Sequence, residues 1–339
     1  AGPRTVGQTD ASTGPDDHPR SRFQPSEPSG IAMELCGDRI VDWPVAAHGE
    51  QFSGAAKMKL AWITGASGFI GNYIVRTARL FGAQWRLREL TRAQLDLLDF
   101  GAVEREFKKD SPELVIHCAG ISSVGEAHKN PNLAWRLNVE ATQFLADLAS
   151  EVQFVLFSTD LVFDGRKGNY TEDDVPNPLH VYGETKVAAE QIVLKYSRHL
   201  ALRTSINGGI SPAGNRGFNE QLWRALESGQ KMTLFTDEFR CPIFARETAR
   251  AVWQLAGQKF AGMIHVAGAE KLSRFQIGQL MVARRPGLKA AIEPGLAKEF
   301  KGPPRVLDAS LDISKAQRLL PNPLPGLSEW LAAHPDEPF

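Results

Sequence analysis

From Met58 onward, short unbroken apolar runs alternate with longer stretches whose apolar residues recur every three to four positions. Unbroken runs bounded by turn residues mark buried parallel strands, and the longer spacing marks amphipathic helices. Lys59-Leu60-Ala61-Trp62-Ile63 reads as the first strand; Phe69, Ile70, Tyr73, Ile74, Leu80 and Phe81 give the face of the helix after it. Residues 84–91 read as a second strand, Gln94-Leu95-Asp96-Leu97 as a short third, and 100–109 as a helix. The strand at 113–120 is continuously apolar and ends in small residues. Asn130 as N-cap and Pro131 at the first helical position open another helix. A strand at 152–157, a helix at 181–197 and a strand at 200–202 follow. This alternation predicts an α/β chain built on a doubly wound parallel sheet.

After Thr204 the periodic segments shorten and loop residues increase. The reading is therefore a nucleotide-binding domain over 58–205 and a smaller C-terminal substrate-binding lobe over 206–339. Within the lobe, the helix-like 247–255 and the strand-like 263–266 suggest that segments near 243–267 return to the main sheet. Residues 277–282 and 313–320 supply its remaining apolar periodicity.

Residues 1–57 break the pattern. Pro, Gly, Ser, Asp and His dominate their first half without apolar period, so this extension is expected to be disordered. It has neither the apolar stretch of a signal peptide nor the acid-poor composition of a transit peptide. Met58 directly precedes the first strand, and whether the extension belongs to the native protein is left open.

Lys plus Arg equals Asp plus Glu at 39 each, which argues against a nucleic-acid partner. No apolar run approaches the roughly 20 residues of a membrane helix, so no membrane partner is expected. The three cysteines, Cys36, Cys118 and Cys241, are far apart, which fits a reducing, cytoplasmic setting and no metal site.

The first strand runs into Thr64-Gly65-Ala66-Ser67-Gly68-Phe69-Ile70-Gly71, a GxxGxxG turn that opens a helix. Gly65 lets the chain turn, Gly68 lets a phosphate approach backbone N–H groups, and Gly71 brings helix and strand close. A pyrophosphate would sit at the positive end of the helix dipole, against Ser67, Phe69 and Ile70. Ser158-Thr159 places hydroxyls at a strand's C-terminal edge, where ligands bind open α/β sheets. Tyr182 and Lys186 lie one helical turn apart on a shared face. An ammonium and a cationic nicotinamide beside a phenol are expected to lower its pKa and make it a usable proton donor and acceptor.

Together these motifs resemble the extended short-chain dehydrogenase/reductase family over most of 58–320, and within it the dTDP-4-dehydrorhamnose reductases. Ser158-Thr159-Asp160, Val162-Phe163-Asp164-Gly165, Pro178-Leu179, Tyr182-Gly183-Glu184-Thr185-Lys186 and Leu202-Arg203-Thr204-Ser205 carry the likeness. It implies a Rossmann-type fold and a catalytic set of Thr159, Tyr182 and Lys186. Thr159 would bond the substrate carbonyl, Tyr182 would donate the proton, and Lys186 would hold the nicotinamide ribose. Asp96 and Leu97 would meet the adenine; Ala119, Gly120 and Ser122 would line the nicotinamide side, Ser122 touching substrate as well. Glu89 is expected to lie one position too early to grip the ribose hydroxyls. Arg92 could pair a 2′-phosphate, which favours NADP(H) over NAD(H). His117 is expected in the core rather than in the chemistry. Arg240 is a candidate contact to the nucleotide sugar, with an exposed structural arginine as the other reading.

The resemblance implies an NAD(P)H-dependent reductase of a keto-sugar nucleotide in dTDP-rhamnose synthesis, with a homodimer as a candidate assembly. An epimerase with held NAD uses the same residues and stays open. Dehydratases carry Thr-Asp-Glu where this chain has Thr159-Asp160-Leu161, and leucine cannot move a proton. A dinucleotide-binding regulatory subunit, like that of methionine adenosyltransferase, is the alternative outside enzymology. Ile206-Asn207-Gly208-Gly209-Ile210 departs from the aromatic-rich segment usual in rhamnose-pathway reductases and leaves the sugar open.

Overall fold

Six of the apolar runs pair side by side. In the computed structural model, which describes residues 2, 58–285, 292–302 and 304–337, they form one parallel sheet. The extension expected over 1–57 lies outside the described residues except for Gly2. The sheet half consists of β1 (Lys59–Thr64), α1 (Phe69–Phe81), β2 (Trp85–Leu90), α2 (Phe100–Asp110), β3 (Leu114–His117), α3 (Val124–Lys129) and α4 (Pro131–Trp135). A π-helical turn at Arg136–Glu140 joins α4 to α5 (Ala141–Leu148), followed by β4 (Gln153–Thr159), α6 (Val181–Val193) and β5 (His199–Thr204). Then come β6 (Asn207–Gly208), α7 (Phe218–Glu227), β7 (Met232–Phe235), β8 (Phe239–Arg240), β9 (Ile243–Phe244) and α8 (Ala245–Gly257). The chain closes with β10 (Gly262–Val266), β11 (Leu272–Ser273), α9 (Arg274–Ala283), β12 (Ile292–Gly295), α10 (Ser314–Leu319) and α11 (Leu327–Ala333).

The strand order is β10-β5-β4-β3-β1-β2, and every neighbouring pair is parallel. The alternation of side chains across a strand divides each apolar run between two cores. Ala61, Ile63, Leu114, Ile116, Val155 and Leu200 face α1 and α8; Leu60, Trp62, Val115, Phe154, Leu156 and Ala201 face α2, α5 and α6. This two-sided burial is why the strands read as unbroken rather than alternating. Trp253 of α8 fills the first core and donates its indole N–H to the Ile74 carbonyl at 3.1 Å. Three small two-stranded sheets, β11-β8, β12-β7 and β6-β9, organise the C-terminal part. Among the described residues no helix is long and apolar enough to cross a membrane.

Two elements differ from expectation. Residues 94–97 make turns, not a third strand, which leaves β2 at the sheet's edge. Polar side chains there bind the local backbone instead of leaving it to a ladder. Gln94 Oε1 accepts from Thr91 N–H at 2.9 Å and Asp96 Oδ1 from Leu98 N–H at 3.0 Å. Leu95 and Leu97 still bury into the second core. Helix α6 stops at Val193 rather than 197, where N–H groups of Lys195 and Tyr196 turn back to the Ile192 and Val193 carbonyls.

Candidate active site

The glycine turn sits between the C-terminal ends of β1 and β3. Gly65 has φ +66°, a left-handed conformation that favours glycine, and a Cβ there would stand 2.7 Å from Ala119 N. Gly71 packs the first turn of α1 on this bend, so a Cβ on it would meet the Gly65 carbonyl oxygen at 2.2 Å. Gly68 is the N-cap of α1 and has no side chain to satisfy the helix's first N–H groups. Those donors, at the positive end of a helix, make a cradle that fits a pyrophosphate. Ser67 is exposed and Gly68, Phe69 and Ile70 are half-buried around the cradle. Gly71→Ala is expected to push α1 off the turn and weaken NADPH binding at least tenfold, at a folding cost of about 1–3 kcal/mol. Fluorescence titration reads this directly, and unchanged affinity would refute the role given to the close approach.

At the end of β2, Arg92 is exposed and has no ion pair among the described residues, and Asp96 is exposed on the turn after it. Glu89 is also exposed, whereas Arg88 is engaged by Glu106 at 2.9 Å and Asp110 at 3.6 Å. Leu97 is buried, so its side chain supports the turn from below.

Past β3, Ala119, Gly120 and Ser122 form a partly exposed loop. Asn138, in the π-helical turn, clamps this loop: its Oδ1 accepts from Ile121 N–H at 2.8 Å and its Nδ2 donates to the Ile121 carbonyl at 3.0 Å. Its Nδ2 also donates to Thr185 Oγ1 at 3.0 Å, tying the loop to α6. The sequence reading missed Asn138; a lone asparagine inside an apolar helical period was the available signal. His117 is core, as expected. It contacts Thr64 Oγ1 at 2.7 Å and Thr142 Oγ1 at 3.0 Å, and burial first, then Lys186, pulls its pKa down to about 3.

Thr159 ends β4, and α6 brings Tyr182 to it, with Lys186 one turn further along the helix. Helix and strand end approach so closely that a Cβ on Gly183 would stand 2.4 Å from the Leu161 carbonyl oxygen. Thr159 Oγ1 accepts from Leu161 N–H and donates to Asp160 Oδ1, both at 3.2 Å. Tyr182 and Lys186 are each only 8% exposed. Burial pushes the Tyr182 phenol up to about 12, with the Thr159 hydroxyl opposing and the Asp160 carboxylate adding to the rise. The expected lowering by Lys186 is therefore overturned: desolvation dominates, and Tyr182 stands as a neutral phenol. Burial brings Lys186 down to about 8, against the nearby Glu190 carboxylate.

Arg240 lies in the interior. It is 4% exposed, and its guanidinium donates to the Phe239 carbonyl at 2.7 Å and the Val306 carbonyl at 3.0 Å. It pairs with Asp160 at 3.6 Å and Glu238 at 3.5 Å. Neither the substrate contact nor the exposed arginine of the sequence reading describes it, because all its donor edges face protein. Glu238 also pairs with Arg274 at 2.9 Å and Arg305 at 2.6 Å. Burial alone would raise the Glu238 carboxyl, but Arg274, Arg240 and Arg305 together hold it below the usual range. Arg305 is about one-third exposed (35%) and stacks over Phe235 and Phe300 at 5.0 and 5.4 Å. It also helps burial depress His180, at the N-cap of α6.

Comparisons with known proteins bear on the family and the fold. A family model described as RmlD substrate binding domain matches residues 58–334. The probable low-salt glycan biosynthesis reductase Agl14 of Haloferax volcanii is 30% identical over 80% of this chain and 96% of its own. The methionine adenosyltransferase 2 subunit beta of Xenopus laevis is 28% identical over 76% of this chain and 82% of its own. Among solved structures, the dTDP-4-dehydrorhamnose reductase of Bacillus anthracis in complex with NADP superposes with TM-score 0.75. At 22% identity over 81% of this chain and 98% of that one, it speaks for the fold. The match spans the sheet and the C-terminal part together, and the chain belongs to the RmlD substrate-binding-domain family, within the extended short-chain dehydrogenases/reductases.

Proposed function

We propose that this chain reduces the ketone of a 4-keto-sugar nucleotide with NADPH, and that dTDP-4-dehydrorhamnose is the first substrate to test. The observation that carries the reading is the buried Tyr182 of α6, which meets the Thr159 hydroxyl at the C-terminal end of β4. The dinucleotide, when bound, supplies the hydride. The chain's own part is to hold, orient and protonate. Lys186 lies one turn from Tyr182 and holds the ribose. Thr159 orients the ketone, with its hydroxyl turning from Asp160 to the carbonyl oxygen. Tyr182 donates its proton to that oxygen as negative charge develops there, the point at which such a group lowers a barrier. Arg305, on the partly exposed side of the Glu238 cluster, is suited to a diphosphate. Ser122 lies on the same side as the nicotinamide loop and is suited to a sugar hydroxyl.

Steady-state assays with NADPH and a panel of 4-keto nucleotide sugars test the reading. Turnover of at least one member supports it; NADPH binding with no turnover of any member refutes it. The likeness to a methionine adenosyltransferase subunit supports a second reading, a dinucleotide-binding subunit. That reading requires a stoichiometric partner enzyme in a pull-down together with no ketone reduction. For the cofactor, Arg92→Ala is expected to narrow the preference for NADPH over NADH by about tenfold, the value of one charged contact to the 2′-phosphate. An unchanged ratio of kcat/KM values would remove Arg92 from the site.

A further inference from the structure

Thr204 ends β5 beside Thr159, its partner in register on β4. Ser205 then turns back to that strand end. Its hydroxyl donates to Asp160 Oδ2 at 2.7 Å and accepts from Cys241 N–H at 3.2 Å. At the far end of the same segment, Ile210 N–H donates to the Tyr73 hydroxyl at 3.0 Å. Tyr73 belongs to α1, the helix that opens at the glycine cradle, and packs edge-on against Phe69 of its first turn at 5.8 Å. The 205–210 segment thus joins the strand end that carries Thr159 to the helix that opens at the cradle. One peptide makes the junction with α1. Its carbonyl, of Gly209, accepts from Asn219 Nδ2 of α7 at 2.7 Å, and its N–H, of Ile210, goes to Tyr73. Gly209 stands at φ +128°, and a Cβ there would lie 2.5 Å from the Tyr73 hydroxyl oxygen and 3.1 Å from Phe244 Cε2. Glycine is what lets ring and backbone come this close. Gly209, part of the 206–210 departure, therefore serves this junction.

We propose that Tyr73 is a positioning residue for hydride transfer: it pins the Gly209–Ile210 peptide, so that the 205–210 segment holds the ketone site in register with the dinucleotide helix. The inference rests on the reading that a dinucleotide and a ketone react here. Hydride passes only when donor and acceptor carbons are held close and aligned, and a small displacement made far from the chemistry costs rate. The paired strands are rigid, but the Thr159 hydroxyl is oriented by Asp160 at 3.2 Å, and Asp160 by Ser205 at 2.7 Å. Ser205 and Tyr73 hold opposite ends of one segment, so the bond at one end steadies the hydroxyl at the other. Tyr73 touches neither reactant and acts through the segment. Ile210 is 47% exposed, so water can replace the phenol hydroxyl there and the cost to folding is expected to be small. The effect of losing that hydroxyl is then read in the reaction.

Tyr73→Phe keeps the ring and its contacts with Phe69 and Phe244, and removes only the acceptor for Ile210 N–H. Single-turnover hydride transfer from NADPH to whichever 4-keto nucleotide sugar the panel identifies is expected to slow by about tenfold. NADPH affinity by fluorescence and the KM for the ketone should each change by less than about threefold. A purely structural role would lower the denaturation midpoint and leave the hydride step of the folded protein at the wild-type rate. A loss that appears as weaker NADPH binding would put Tyr73 on the cofactor side and also overturn the inference. Asn219→Ala frees the other side of the same peptide and should slow the same step. Because both act on one peptide, the two changes together should slow it by less than the product of the single effects, and effects that multiply in full overturn the common junction. If Tyr73→Phe does not fold, Asn219→Ala carries the test alone: slowed hydride transfer at unchanged NADPH affinity supports the inference, and a wild-type rate overturns it. Wild-type protein that binds NADPH and turns over no panel member overturns the reductase reading together with this inference; wild-type turnover with an undiminished hydride step in Tyr73→Phe overturns the inference alone.

Discussion

Replacing Tyr182 with Phe is expected to cut turnover of the keto-sugar nucleotide by about 10²–10⁴-fold while NADPH binding changes little. The ring packs with Ile121, Ala127 and Ala134 in a small apolar cluster that Phe fills equally well. What Phe lacks is the proton for the alkoxide that forms as hydride arrives. The lost factor corresponds to about 3–5 kcal/mol of barrier. Water is a poor replacement in a site where Tyr182 is only 8% exposed. Pairing cofactor titration with single-turnover rates separates chemistry from product release. A variant that keeps more than about a tenth of wild-type turnover, when chemistry limits the rate, rules out Tyr182 as the acid.

Much of the sheet was legible because its central strands bury both faces, which writes an unbroken apolar run into the sequence at β1, β3 and β4. The glycine turn was legible for a different reason: Gly65 and Gly71 occupy places where a Cβ would collide with backbone. Residues 94–97 were misread because Leu95 and Leu97 have strand-like spacing, while Gln94 and Asp96 satisfy the backbone locally. The direction of the Tyr182 shift was also misread. Sequence spacing reveals a neighbouring charge but not the depth of burial, and here burial is the larger effect. Asn138 escaped notice because its partner Ile121 meets it only in the fold, and the bond from Ile210 N–H to Tyr73 did so for the same reason.

Arg240→Met is expected to destabilise the protein by about 3–5 kcal/mol, a large share of the 5–15 kcal/mol typical of a folded domain. The cost should fall on Asp160. Glu238 keeps Arg274 at 2.9 Å and Arg305 at 2.6 Å when Arg240 is lost, so it stays compensated. Among the described residues Asp160 keeps hydroxyl partners, Ser205 at 2.7 Å and Thr159 at 3.2 Å, and the influence of the Arg274 charge without an ion pair. Burial already raises the Asp160 carboxyl, and Arg240 is the largest influence opposing that rise. Without it, folding must either bury an unpaired charge or bind a proton, and each is costly at neutral pH. The Val306 carbonyl also loses its donor, while the Phe239 carbonyl keeps the Ala309 N–H at 3.3 Å. Adding Asp160→Asn to the Arg240→Met chain should recover most of the charge cost, because the amide needs no counterion. Denaturant midpoints for the wild type, the single variant and the pair measure this. If Arg240 were instead a contact to the nucleotide sugar, the single variant would unfold at the wild-type midpoint and raise KM alone. That outcome would return Arg240 to the substrate side of the site and leave Asp160 without its brace.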